Sequence, residues 1–385
     1  MPKEKNPLLI EDFERSSIME KLKKALPGGV FLLFIMVISI LNLMHTPPEV
    51  SKSERRRLKT MPEFNLETVM DGKFMDGFEG YALDSFVWRD NLRTLKALTA
   101  YNIFRQSDNN GIYLSGGSAA ELLTLNEVEA RKTLQKLKKV SDMLPDGLNR
   151  YYGIIPDKGF YMQTEHPVVD YARLEAMARE ELLGLSYIDI KGALSNRMYY
   201  RTDIHWDQSL ISPVAEVLAG GMGAGYTAEE YEKNVLHGFY GVYYGQSALP
   251  LPAEDLTYLT GGVIDSARVE MLDPKTTEMV AAPMYYSEKF DGVDPYDLFL
   301  GGPQPLITIE NESNTSGREL YIFRDSFSSS LAPLLVQSYS KITLIDLRYF
   351  SASILDYFVD FKAGDDVIFL YGAQILMDGN VLMVD

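Results

Sequence analysis

The chain has 385 residues, enough for one large domain or two modest ones, and 46% of them are hydrophobic, too few for a multi-pass membrane protein. Its formal net charge of -17 argues against a nucleic-acid partner, because phosphate binding needs a positive surface. Cysteine is absent, which excludes a disulfide framework, a thiolate metal site and a cysteine nucleophile.

The first distinctive segment is an uncharged apolar run at residues 28–44, GGVFLLFIMVISILNLM. It lies at the short end of the roughly 17–25 residues that cross a bilayer. Lysines precede it and no small-residue cleavage site follows, so the pattern predicts an uncleaved signal anchor behind a cytoplasmic tail at 1–27. The flanking charges only slightly favour a cytoplasmic N-terminus. A buried core helix is the alternative.

The region after the anchor changes character twice. Residues 45–62 contain prolines and many charges, which is typical of a stalk. The rest of the chain, 63–385, is predicted to form one α/β domain. Helical spacing of apolar residues indicates helices over 66–104 and over 119–143, the second ended by Pro145.

Strand-like and helix-like segments then alternate, which predicts a parallel sheet flanked by helices. The predicted strands are 150–156, 186–190, 319–323, 341–347 and 366–372. The predicted helices are 168–184, 210–221, 329–339 and 352–361. Residues 222–317 interrupt this pattern with short alternating runs rich in Gly, Tyr, Pro and Asp, which indicates an antiparallel β insertion with long loops.

An acid–histidine motif lies at residues 199–207, YYRTDIHWD. If this stretch is extended, Asp203 and His205 share one face and Ile204 points to the other. A carboxylate beside an imidazole fixes its tautomer and leaves the second nitrogen free to act as a base. The spacing alone also allows a histidine in a polar turn without a catalytic role.

Ser326 lies in FRDSF, between a predicted strand and a predicted helix. Such a turn projects its serine from the carboxyl edge of a parallel sheet, where free backbone N–H groups stabilise an oxyanion. The hydroxyl needs a base to take its proton, and His205 is the natural candidate. The alternative is a residue that only caps the helix. With the Asp203-x-His205 motif also present, the catalytic interpretation is favoured.

These residues carry a resemblance to a known family. YYRTDIHWD and ELYIFRDSFSSSLAPLLVQSYSKITLIDLRYF resemble the DHHW family of SGNH-like proteins, which are similar in turn to the alginate O-acetyltransferase-like proteins. The supporting stretches are SERRRLKTMPEF, YALDSFVWRD, IIPDK, HGFYGVYYG and LRYF. The resemblance runs from the stalk to the C-terminus.

The resemblance implies a three-layer α/β/α, SGNH-hydrolase-like (flavodoxin-like) fold with the triad in permuted order. Ser326 matches the nucleophile, His205 the base and Asp203 the group that orients the base. Two departures stand out. Ile204 replaces a second histidine, and residues 328–330 read Ser-Ser-Ser where an amide side chain is expected.

Without that amide, backbone N–H groups are expected to bind the oxyanion, with a neighbouring side chain assisting. The candidates for this role are Ser326, Phe327, Arg324 and Gln374. The weaker candidates for contacting a sugar ring are the aromatic residues Trp206, Tyr243 and Tyr244.

The resemblance further implies an extracytoplasmic domain anchored in the cell membrane by one helix. It would transfer an acyl group, acetyl first of all, to or from a cell-surface or exported polysaccharide through acyl-Ser326. A multi-span membrane acyltransferase is the expected partner, and no cofactor or metal is expected. One alternative is a catalytically degenerate scaffold that binds glycan or an assembly complex. Another is a metal-dependent hydrolase that uses Asp325 with Asp203 and His205.

Overall fold

Residues 7–227 and 229–384 are described in a computed structural model. The chain divides into two units, one of Met1–Ser51 with Arg56–Arg93 and one of Lys52–Arg55 with Thr94–Asp385. The predicted boundaries differ from this division at two places. Lys52–Arg55, predicted as stalk, belongs to the second unit, and residues 63–93 belong to the first.

A single long helix dominates the first unit. Helix α1, Pro7–Met44, includes both the predicted anchor and most of the predicted tail, whose residues 1–6 lie outside the described part of the chain. Its segment Lys23–Met44 is long and apolar enough to cross a membrane, judged by length and composition. The elements that follow are β1 (Val50–Ser51), β2 (Arg56–Arg57), α2 (Leu66–Met70), α3 (Lys73–Asp84) and α4 (Arg89–Leu98).

The second unit contains the remaining elements. Its helices are α5 (Glu127–Met143), α6 (Tyr171–Glu181), α7 (Ser212–Gly221), α8 (Val242–Ser247), α9 (Gly262–Ser266), α10 (Phe327–Leu335), α11 (Leu355–Phe358) and α12 (Ala373–Leu376). Its strands are β3 (Ile112–Ser115), β4 (Ser118–Glu121), β5 (Asn149–Ile155), β6 (Ser186–Tyr187), β7 (Glu232–Phe239), β8 (Glu254–Thr260), β9 (Arg268–Leu272), β10 (Met279–Ala282), β11 (Leu306–Glu310), β12 (Glu319–Arg324), β13 (Lys341–Ile345) and β14 (Asp366–Gly372).

Eight of these strands form one sheet in the order β10-β9-β11-β13-β12-β14-β5-β6. The five from β13 to β6 are parallel, and β11, β9 and β10 extend the sheet in antiparallel fashion. If β12, β13, β14, β5 and β6 are renumbered 1 to 5, the parallel strands lie side by side in the order 2-1-3-4-5. That is the flavodoxin-like order with its first strand placed late in the chain, so the predicted permuted α/β fold is confirmed.

Helices cover both faces of the sheet because its buried strands are apolar on both sides. Along β12, Leu320 and Ile322 face one apolar cluster that includes side chains of α7 and α10. Tyr321 and Phe323 face the other, which includes side chains of α5 and α6. The unit therefore has three layers, α/β/α.

The start of one predicted helix differs from the structure. The helix predicted over 119–143 begins only at Glu127, where Asn126 caps it by accepting from the Glu129 N–H. Ser118–Glu121 instead pairs with Ile112–Ser115 in a hairpin. The segment 222–317 supplies the predicted antiparallel strands: β7 pairs with β8, and β9, β10 and β11 extend the main sheet.

Candidate active site

Ser326 lies two residues after the last residue of the central strand β12, with Asp325 between them, and directly precedes the first residue of α10. Its backbone is right-handed helical (φ -64°, ψ -23°), and its side chain makes no helix-capping hydrogen bond. The capping alternative therefore does not describe this hydroxyl. Instead, Ser326 Oγ lies 2.7 Å from His205 Nε2, across 121 residues of sequence.

His205 is held on its other side by Asp203. The distance between His205 Nδ1 and Asp203 Oδ1 is 2.6 Å, and the same oxygen accepts the backbone N–H of His205 at 3.0 Å. The segment is a tight loop rather than a strand, because Tyr200 N–H bonds to the carbonyl of His205. The assumption that this stretch is extended was therefore wrong, although Asp203 and His205 do lie on the same side. A carboxylate that accepts from the backbone two residues on brings the two side chains together.

Lys158 holds this loop from inside the protein. Its Nζ donates to the carbonyl oxygens of Tyr200, Arg201 and Asp203 at 2.8, 3.0 and 2.8 Å. The side chain is 2% exposed. Burial lowers the pKa of Lys158 to about 7, with Asp203 and other acids partly opposing the shift. Nothing in the sequence indicated this role, because IIPDK contributes only local strand and turn signals.

The second oxygen of Asp203 accepts two further hydrogen bonds. Arg55 Nη2 and the Val242 N–H lie 2.9 and 2.8 Å from Asp203 Oδ2. Burial alone would raise the pKa of Asp203, but Arg55 and His205 outweigh it and hold the pKa well below its usual range. The carboxylate is thus ionised and fixed, as required of a group that orients an imidazole.

Aromatic rings pack around the imidazole. Tyr296 stacks on His205 with ring centroids 3.8 Å apart and planes 7° apart, and its hydroxyl donates to Ser330 Oγ at 2.7 Å. Phe327 contacts the imidazole at 5.1 Å between centroids. Trp206 Nε1 also donates to Ser330 Oγ, at 2.9 Å. This packing restricts the imidazole to the orientation that points Nε2 at Ser326.

A cavity of about 170 Å³ opens beside the triad. Water fills ~30 Å³ per molecule in the liquid, so the cavity has room for a small polar group. Its lining includes His205, Ser326, Ser329, Arg324, Asp297 and Tyr349. Burial, and next the negative charge of Asp294, raise the pKa of Asp297 to about 6. Tyr349 is 49% exposed and can contact a ligand.

Comparison with solved structures identifies similar folds at low sequence identity. A DHHW family protein from Eubacterium siraeum matches with a TM-score of 0.58 and 19% identity, over 72% of this chain and 98% of that one. Bacillus cereus PatB1 with a sulfonyl adduct matches with a TM-score of 0.54 and 14% identity, over 71% and 98%. The O-acetyltransferase domain of Pseudomonas putida AlgJ gives 0.41 and 13%, over 69% and 92%. This chain shares its fold with the DHHW family protein. No protein-family model and no curated protein matches the sequence.

The aromatic residues predicted to contact sugar do not line the cavity. Trp206 and Tyr243 are buried, with 0% and 2% exposure, so neither can stack on a ligand in this conformation. Tyr244 is half-buried and packs against the ring of Tyr240. Tyr296 and Tyr349 line the cavity, and of these two tyrosines Tyr349 is the exposed one. Its LRYF stretch was noted only as part of the family resemblance.

The residues predicted to bind the oxyanion differ in whether their donor groups are available. The Phe327 N–H already donates to Asp325 Oδ1 at 3.1 Å, which does not favour an oxyanion role for that amide. Gln374 Nε2 donates to Glu121 and Tyr243 instead. Arg324 is 1% exposed and lines the cavity beside Ser326.

Asp325 has a structural explanation that differs from metal binding. Its Oδ1 accepts the Phe327 N–H, and its Oδ2 accepts the Gly372 N–H at 2.6 Å. Burial raises the pKa of this carboxyl group. Asp325 therefore joins the end of β12 to the end of β14 and fixes the turn that presents Ser326.

Proposed function

We propose that the chain transfers an acyl group, acetyl first of all, to or from a polysaccharide hydroxyl through an acyl-Ser326 intermediate. The observation that carries this proposal is the continuous hydrogen-bonded series Asp203–His205–Ser326, with distances of 2.6 and 2.7 Å. An ionised carboxylate, an oriented imidazole and a serine hydroxyl are the groups that activate a nucleophile for acyl transfer.

The reaction has two half-reactions. His205 Nε2 takes the proton of Ser326 while Oγ bonds to the acyl carbon, and the carbonyl electron pair moves onto oxygen. Collapse of this adduct breaks the bond to the leaving alkoxide, which takes the proton from His205. In the second half, a sugar hydroxyl or water gives its proton to His205 and attacks the acyl carbon. The bond between the acyl carbon and Ser326 Oγ then breaks, and Oγ takes the proton back from His205.

The surroundings of the triad support a hydroxyl-rich acceptor. Asp294 and Asp297 can accept hydrogen bonds from sugar hydroxyls, and Tyr349 supplies an aromatic surface in the same cavity. The apolar segment of α1 supports a membrane-anchored enzyme. We further propose, from the family resemblance, that the domain is extracytoplasmic and works beside a multi-span membrane acyltransferase. The sulfonyl adduct in PatB1 is consistent with this chemistry, because sulfonyl reagents label hydroxyl groups that a neighbouring base activates.

The test uses the full-length chain in detergent with 4-nitrophenyl acetate as acyl donor. We expect ester cleavage and an acetyl adduct that peptide mass spectrometry places on Ser326. Ser326→Ala should remove the adduct and lower kcat by more than ~10³-fold. Ser328→Ala, two residues away and outside the cavity lining, should behave as wild type. A wild-type chain that binds polysaccharide but never forms the adduct would instead be a glycan-binding scaffold.

A further inference from the structure

The oxyanion formed during acylation needs hydrogen-bond donors close to Ser326. The Ser326 N–H has no acceptor among the described residues, so it is available as one donor. The next amide, of Phe327, is already bonded to Asp325. The site therefore lacks a second donor from the backbone of this turn. An amide side chain, expected from the family resemblance, is replaced by Ser328–Ser330.

We propose that the Ser329 hydroxyl is the second oxyanion donor and that Arg324 positions and polarises it. The inference rests on the proposed acyl transfer and identifies the group that stabilises its tetrahedral intermediate. Ser329 lies three residues after Ser326, which places both side chains on the same side of α10. Both residues also line the cavity beside His205.

The hydrogen bond between Arg324 and Ser329 fixes the direction of the hydroxyl. Arg324 Nη1 donates to Ser329 Oγ at 3.0 Å, and a guanidinium can only donate. Ser329 is therefore the acceptor in this pair and keeps its own hydrogen. No acceptor for that hydrogen is found in residues 7–227 and 229–384, and the cavity is the space that the side chain lines.

The charge on Arg324 strengthens the donor. Arg324 is 1% exposed, and its Nε and Nη2 have no hydrogen-bond partner in the part of the chain that the structure describes. Asp346 lies 3.8 Å from Nη1 but is bound by Arg348 at 2.9 and 2.6 Å. The positive charge beside Ser326 is thus only partly neutralised. In a buried site such a charge polarises the hydroxyl that accepts from it.

The neighbouring serines provide matched controls. Ser328 is fully buried, and its Oγ has no hydrogen-bond partner among the described residues. Ser330 Oγ is bonded to Trp206 and Tyr296, away from Arg324. Neither Ser328 nor Ser330 lines the cavity. Only Ser329 combines a cationic donor with access to the reacting atoms.

The experiment measures kcat and KM of the full-length chain with 4-nitrophenyl acetate. We expect Ser329→Ala to lower kcat by about 10²-fold or more with little change in KM, since the contact forms only with the oxyanion. Ser329→Asn restores an amide donor and should recover most of kcat. Ser328→Ala should match wild type. Circular dichroism confirms folding of each variant.

The outcomes separate the two proposals. A wild-type chain without the Ser326 adduct overturns acyl transfer, and this inference with it. A wild-type adduct combined with unchanged kcat in Ser329→Ala overturns only the oxyanion role. If Ser329→Ala does not fold, Ser329→Asn decides, because a folded variant that is as inactive as Ser326→Ala contradicts the proposal.

Arg324 needs its own readout because it acts through Ser329. Arg324→Gln should lower kcat without changing KM, and Arg324→Lys should recover part of the loss because the positive charge is kept. In a chain that already carries Ser329→Ala, adding Arg324→Lys should leave kcat unaltered, because the hydroxyl that Arg324 polarises has been removed. Equal effects of Arg324→Lys in both backgrounds would assign Arg324 a purely structural role and overturn the polarising one.

Discussion

Arg55 and Asp203 form a buried ion pair, with 2.9 Å between Nη2 and Oδ2, across 148 residues of sequence. The Arg55 side chain is 7% exposed, and its Nη1 also lies 2.9 Å from Asp294. One guanidinium thus contacts both the carboxylate that orients His205 and an acid that lines the cavity. Arg55 therefore couples Asp203 to an acid of the cavity lining.

We predict that Arg55→Met lowers both stability and activity. Removal of one partner leaves the Asp203 charge buried without compensation, which costs about 3–5 kcal/mol. Activity should fall by about 10²-fold, less than the ~10⁴-fold loss typical when the triad aspartate itself is replaced. Thermal melting and kcat for an acetyl ester measure the two effects.

The pH dependence of this loss has a definite sign. The pKa of Asp203 is depressed in the folded chain, so its stabilising contribution is present above the unfolded pKa of about 3.9 and is lost on further acidification. The stability difference between wild type and Arg55→Met should therefore be largest at neutral pH and shrink below about pH 4. Arg57→Met, at an exposed position, is the control and should match wild type.

Lys158 offers a test of the loop that carries Asp203 and His205. Lys158→Met keeps the apolar stem but removes the donor to three backbone carbonyls. Unpaired buried acceptors cost roughly 1–3 kcal/mol each, so we expect a stability loss of about 2–5 kcal/mol and a lower kcat. Lys275→Met, on an exposed turn, serves as control. An unchanged kcat in folded Lys158→Met would show that the loop holds its shape without this side chain.

Tyr296 supports His205 mainly through its ring. Tyr296→Phe removes one hydrogen bond, to Ser330, and should cost about 1 kcal/mol while kcat stays within a few-fold of wild type. Tyr296→Ala removes the stacked ring and should cost about 3–5 kcal/mol, with a much larger loss of kcat. Melting curves and steady-state kinetics of both variants decide this. Equal kcat losses in the two variants would show that the hydroxyl, not the ring, is the important group.

Local sequence patterns predicted the parts of the site that depend on neighbouring residues. The apolar run at 319–323 followed by FRDSF gave strand β12 and the turn at Ser326, because short buried strands and strand-to-helix turns have local signatures. Residues 366–372 likewise became β14. His205 was proposed as the base for Ser326 because a serine hydroxyl needs a neighbouring base, and the structure places Nε2 and Oγ 2.7 Å apart.

Long-range contacts account for what the sequence did not reveal. Arg55 lies in SERRR, whose charges are typical of a solvated linker, and only the tertiary fold places it against Asp203. In sequence, Trp206 and Tyr243 resemble aromatic residues that contact a ligand, because neighbouring polar residues do not reveal whether the fold buries the ring. Residues 119–121 fell within the predicted helix but pair as part of strand β4, so tertiary pairing overrides local spacing there.

Asp297 provides a last prediction that needs no substrate. Its pKa is raised to about 6 by burial and by Asp294, so the folded chain favours the protonated form. That stabilising contribution is complete below the unfolded pKa of about 3.9 and is lost as the pH rises through 6.

Asp297→Asn carries no charge at any pH. Its stability relative to wild type should therefore increase between pH 4 and pH 8 by about 1 kcal/mol, after allowance for solvent screening. Asp291→Asn, an exposed acid nearby in sequence, should show no such change. Thermal melting across this pH range measures both, and a difference that stays constant with pH would mean that the Asp297 carboxylate is solvated rather than held in the cavity.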